Sequence, residues 1–105
     1  MLFIIYVGAP NTIYVPNTFT PDNDGINDVF MIKGQNIALD NFSFSVFNRW
    51  GDPVWTSVDP SDVWTGSYQG GGYYLPDGVY PFLLKYQYTD SSERLSMSGH
   101  VQIIR

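Results

Sequence analysis

Nowhere does the chain sustain a long apolar repeat of helical period, and Gly, Pro, Asn and Asp interrupt it at short intervals. A helix requires an apolar stripe held over several turns, whereas a strand needs only a few alternating residues closed off by a turn. An all-β fold is therefore expected, and side-chain alternation locates the strands. In residues 41–48, Phe42, Phe44 and Val46 point one way and Ser43 and Ser45 the other. In residues 78–89, Tyr80, Phe82, Leu84, Tyr86 and Tyr88 oppose Lys85, Gln87 and Thr89. Pro81 cannot donate to a ladder, which places the start of this strand at a sheet edge or a bulge.

In residues 94–105, Leu95, Met97, Val101 and Ile103 lie opposite Arg94, Ser96, Ser98, His100 and Gln102. This stretch pairs with the preceding one through the polar turn at 89–93. Shorter strands fit 13–15, 28–33 and 53–57. Counting the apolar opening run, about seven strands result, the element number of an immunoglobulin-like β-sandwich of antiparallel strands. With 105 residues, there is room for one such domain. Residues 1–11 read as an upstream strand or linker, and residues 12–105 as the domain.

Composition removes several functional classes. Five Lys and Arg face ten Asp and Glu, for a net charge of −5, and no basic cluster is present to displace counterions from a phosphate backbone, so nucleic acid is not expected as a partner. The absence of cysteine rules out disulfides, a thiolate nucleophile and Cys-based zinc sites. The opening MLFIIYV is too short to cross a bilayer and lacks the basic flank of a signal peptide, so no transmembrane segment is expected and an export signal would lie upstream. The single histidine, His100, sits on the polar face of a strand, and no nucleophile elbow accompanies it.

Several loops carry distinctive residues. In TPDNDGIND (20–28), Asp22, Asp24, Asn27 and Asp28 offer oxygens of the kind that hold Ca²⁺, although the spacing is not that of an EF-hand. The same residues suit a tight turn at Asp24-Gly25, and this reading is preferred because no distant ligand can be identified. A structural Ca²⁺ is thus the sole cofactor to consider. NRWG (48–51) reads as a hairpin turn with Gly51 in the strained position. Its Arg49 and Trp50 are residue types that dominate protein interfaces, while the competing role for Trp50 is to close one end of the sandwich. LPDGVY (75–80) is a turn that launches a strand, and the glycine-rich GSYQGGGYYL (66–75) presents Tyr73 and Tyr74.

Taken together, VPNTFTPDNDGINDVF (15–30), FSFSVFNRWGDPVW (42–55), VWTGSYQG (63–70), LPDGVYPFLLKY (75–86) and GHVQIIR (99–105) resemble, in this order, the type B C-terminal sorting domains of type IX secretion substrates, also called gliding motility-associated C-terminal domains. The chain departs from the usual pattern at Asp22-Asn23 and at Thr65. The resemblance implies a non-enzymatic role at the end of a larger cargo protein, export through the periplasm to the cell surface or medium, and recognition by the type IX translocon with a small outer-membrane β-barrel partner. Two surfaces are candidates for that recognition. One is the turn Asn48, Arg49, Trp50 and Gly51. The other is the last strand, Gly99, Val101, Ile103, Ile104 and Arg105, whose edge is suited to strand addition. The alternatives are a carbohydrate-binding module, suggested by the aromatic loops, and a passive adhesin domain.

Overall fold

The computed structural model describes residues 11–21, 29–69 and 73–104. These form strands β1 (Thr12–Tyr14), β2 (Thr18–Phe19), β3 (Lys33–Gln35), β4 (Ser43–Phe47), β5 (Pro53–Ser57), β6 (Gly78–Tyr86) and β7 (Leu95–Ile103). No helix is found among the described residues, and so none long and apolar enough to cross a membrane. A two-stranded sheet, β1-β3, and a five-stranded sheet, β2-β7-β6-β4-β5, make up the all-β, immunoglobulin-like sandwich.

The alternation read from the sequence corresponds to the observed faces. Phe44, Val46, Tyr80, Phe82, Leu84, Val101 and Ile103 are buried, while Ser96, Ser98, His100 and Gln102 are exposed. β6 and β7 pair over their full nine residues, from Gly78↔Ile103 to Tyr86↔Leu95. Phe82 lies across from Gly99, and a Cβ at Gly99 would sit 3.0 Å from the Phe82 ring, so the aromatic fills the space a side chain would take.

The strand membership differs from expectation in three places. The strand expected in the opening run lies outside the described residues, and Thr18–Phe19 forms a strand that the alternation did not indicate. That strand runs parallel to β7, unlike the antiparallel arrangement expected throughout. Two residues framed by Pro16 and Pro21 are too few to show alternation. The strand expected at 28–33 is displaced: Phe30 makes only a bridge to Trp64, closed by reciprocal backbone bonds of 2.7 and 2.9 Å, and β3 begins at Lys33. Gly34 permits β3 to approach β1, because a Cβ there would collide with the Thr12 carbonyl oxygen.

The core is aromatic. Trp64, 1% exposed, stacks on Trp55 with ring centroids 5.6 Å apart and meets Phe19 at 5.4 Å and Phe30 at 6.0 Å. Its indole N–H donates to the Ser67 carbonyl at 2.8 Å, which satisfies the polar atom that burial would otherwise strand. Gly66, at φ 86°, makes the turn that brings this carbonyl back. At the start of β6, the Tyr80 hydroxyl donates to the Pro76 carbonyl at 2.6 Å. A tyrosine at this corner, bonded to backbone a few residues upstream, is a feature of immunoglobulin-type sandwiches. LPDGVY therefore pins the entry to the central strand as well as turning the chain.

Candidate recognition pole

The sequence Asn48-Arg49-Trp50-Gly51-Asp52 joins β4 to β5 as a three-residue hairpin loop. The Gly51 amide donates to the Asn48 carbonyl at 3.1 Å, and the Asn48 amide to the Asp52 carbonyl at 2.9 Å. Gly51 has φ 85°, the left-handed position that closes such a loop. The Asn48 side chain fixes it further: its Oδ1 accepts from the amides of Trp50 (2.9 Å) and Asp52 (3.0 Å). Asn48 and Gly51 thus build the loop, and Arg49 and Trp50 are what it displays. Trp50 is 75% exposed and so does not close the sandwich, the competing role considered for it. The Arg49 guanidinium carbon lies 5.2 Å from the centre of the Trp50 ring, a cation–π distance.

Beside the hairpin lies a groove of about 560 Å³, lined by Arg49 and Trp50 of the hairpin, by Tyr68 and Tyr73, and by Asp77 and Val79 around the start of β6. Tyr68 and Tyr73 stack 5.2 Å apart and nearly parallel. Trp50, Tyr73 and Val79 are all more than half exposed, which concentrates apolar surface at this end of the sandwich. The groove was not foreseen, because its walls are remote in sequence and converge only through the hairpin and the tyrosine corner.

The two candidate surfaces meet at the same pole, since Ile103 at the end of β7 pairs with Gly78 at the groove. Their contributions differ. Val101 and Ile103 are fully buried, and the Gly99 site is filled by Phe82, so these three residues serve the core; Ile104 is 41% exposed. The edge of β7 is already covered here, as the Gln102 and Ile104 amides donate to the Asn17 and Phe19 carbonyls. Arg105 lies outside the described residues, as do Asp22, Asp24, Asn27 and Asp28 of the candidate Ca²⁺ loop. Among the described residues no group of three or more His, Asp or Glu is placed to hold a metal.

The opposite pole is where the chain enters. Asn11 donates through Nδ2 to Asp90 Oδ1 at 2.9 Å and accepts at Oδ1 from Asn36 Nδ2 at 3.0 Å, which ties it to the loop between β6 and β7. The nine residues of β6 separate the poles by about 30 Å.

The family model of the CHU_C type IX secretion signal domain matches residues 13–103, nearly the whole of this sandwich. The chain belongs to that family. No curated protein and no solved structure matches it. Within this type IX signal domain, the motifs that carry the resemblance are largely absorbed by the fold. Phe19, Phe30, Trp64, Leu75 and Tyr80 are core, and Asn48, Gly51 and Gly66 shape turns. Arg49 and Trp50 stand apart, because they are exposed and the turn does not need their side chains.

Proposed function

We propose that this domain directs a larger, covalently linked cargo across the outer membrane by the type IX route, through protein–protein recognition at the pole bearing Arg49 and Trp50. The partners are the type IX translocon and a small outer-membrane β-barrel protein, and the destination, by way of the periplasm, is the cell surface or the medium. The observation that carries this reading is the family match, and the exposed Arg49–Trp50 pair on a hairpin fixed by Asn48 and Gly51 supports the choice of this pole. Arg and Trp are the residues through which protein interfaces most often gain their energy, and a pre-ordered loop loses little entropy on binding. Cargo attached ahead of Asn11 leaves the opposite pole free.

The test is a reporter with a periplasmic signal at its start and residues 12–105 at its end, expressed with and without the translocon. Translocon-dependent export is expected, reduced when Arg49 and Trp50 are both changed to Ala in a domain that still folds. A folded wild-type reporter that stays in the periplasm of translocon-proficient cells refutes the sorting role. Normal export of the double variant removes the hairpin from the mechanism.

A further inference from the structure

Backbone parity in the five-stranded sheet reveals an unfilled ladder position inside the groove. The Gln102 and Ile104 amides face β2, so the odd-numbered residues of β7 direct their backbone groups at β6. Gly99, Val101 and Ile103 lie opposite Phe82, Tyr80 and Gly78. The even-numbered residues of β6 therefore bond β7, and Val79 and Pro81 turn theirs to the other side. β4 covers that side only from Phe82 to Lys85: beyond Val46 no β4 residue pairs with β6, and Phe47 pairs only with Pro53 of β5 before the chain enters the hairpin. The Val79 N–H and C=O consequently face the groove, and neither they nor the Pro81 C=O have a strand beside them among the described residues.

Other open backbone in the sheet is treated differently. On β5, the Gln69 side chain acts as a surrogate peptide group: its Oε1 accepts from the Thr56 amide and its Nε2 donates to the Thr56 carbonyl, both at 2.8 Å, while the Gln69 amide donates to the Val54 carbonyl at 2.9 Å. On β7, β2 covers the last residues, and the stretch before them carries the small or polar, exposed side chains of Ser96, Ser98 and His100. Among the described residues of this sheet, it is at Val79 that an open donor and acceptor coincide with exposed aromatic residues.

We infer that this groove binds an extended segment of a partner protein by strand addition to Val79, with an apolar side chain of that segment seated between Trp50 and Tyr73. The occupant is a peptide because an extended backbone offers a donor and an acceptor at the spacing of the Val79 pair and at the same time carries a side chain for the aromatic walls to seat. Pro81 has no N–H, so the added ladder is short and specificity rests on the side-chain walls. Arg49, the only cationic residue lining the groove and without a carboxylate partner among the described residues, selects an acidic residue next to the seated side chain. This inference rests on the sorting role and specifies the chemistry of the partner at the same pole.

The test uses a display library of seven-residue peptides of random sequence, selected on the folded domain and counter-selected on a Trp50→Ala variant. Selected peptides are expected to pair an apolar with an acidic residue. On binding, the Val79 amide is expected to become protected from hydrogen exchange. Val79→Pro, which removes the one open donor of this edge, is expected to weaken binding about fivefold to tenfold, the worth of a single ladder bond. N-methylation of alternate peptide amides is expected to do the same. Failure to select any peptide overturns the inference. So do peptides that bind Val79→Pro as well as the wild type, or a bound state that perturbs the Trp50 indole while the Val79 amide exchanges freely. Wild-type reporter export is scored separately, so the loss of strand addition and the loss of the sorting role are distinguishable results.

Discussion

Replacing Gly51 by Ala isolates the backbone requirement of the hairpin, because a Cβ at this position meets nothing within 4 Å and φ is +85°. No clash contributes, so the change in stability has two parts. Placing an L-residue in the left-handed region costs about 1–2 kcal/mol. Restricting the unfolded chain returns about 0.4–1 kcal/mol. The expected net loss is about 1 kcal/mol, or about 4–8 °C in melting temperature for a domain of this size. D-alanine at the same position prefers positive φ, so it retains the unfolded-state gain without the strain and should stabilise by about 0.4–1 kcal/mol. Equilibrium urea denaturation of the three semisynthetic domains, with equal m-values required, measures both differences. An L-Ala domain at least as stable as the Gly domain, or a D-Ala domain as destabilised as the L-Ala one, would refute the view that Gly51 is there for its conformation.

Other consequences can be checked alongside. Tyr80→Phe deletes the bond to the Pro76 carbonyl, which is exposed enough to be hydrated instead, so thermal unfolding should show a loss of about 1 kcal/mol and no more. Gln69→Ala removes the side-chain cover of Thr56 on the β5 edge and leaves the backbone bond to Val54; hydrogen exchange at the Thr56 amide should accelerate, and light scattering should detect concentration-dependent association. The Asp59 carboxyl accepts from the Ser61 amide and hydroxyl, which holds its pKa below the ordinary aspartate value of 3.8. Its contribution to stability is therefore present above the unfolded value and disappears as pH falls through the lower folded one, and carbon-detected NMR titration should give a midpoint under 3.8. If Asp22, Asp24, Asn27 and Asp28 bind Ca²⁺, a hundredfold excess over the dissociation constant should stabilise the domain by about 2.7 kcal/mol, and chelator should reverse it; an unchanged melt leaves that loop as a turn.

The strands with two well-defined faces were legible in the sequence. Ser43–Phe47, Gly78–Tyr86 and Leu95–Ile103 each alternate over five or more residues, and one face of each is buried. Thr18–Phe19 was not legible, because two residues carry no period and its partner is more than eighty positions away. The position of β3 slipped for a related reason. Phe30 and Ile32 alternate as a strand would, yet their burial is satisfied by Trp64 and the aromatic core, with Phe30 making only an isolated bridge. Within the site, NRWG announced a turn, but the division between Asn48 and Gly51 as builders and Arg49 and Trp50 as displayed groups required the hydrogen bonds. The roles of Val101 and Ile103 likewise depended on burial, which the sequence pattern placed on the core face without saying how completely.

The parallel pairing of β2 with β7 has a mechanical consequence. If Asn11 is pulled from one pole and Ile104 from the other, the tension lies along these two strands, and the bonds from Gln102 to Asn17 and from Ile104 to Phe19 run across it. They share the load and must break together, as in shear, whereas a hairpin pulled from its open end would unzip bond by bond. Under such a pull the rate of forced unfolding, rather than equilibrium stability, determines survival, and the two residues of β2 paired with the end of β7 act as the clamp that keeps the long β6–β7 ladder intact.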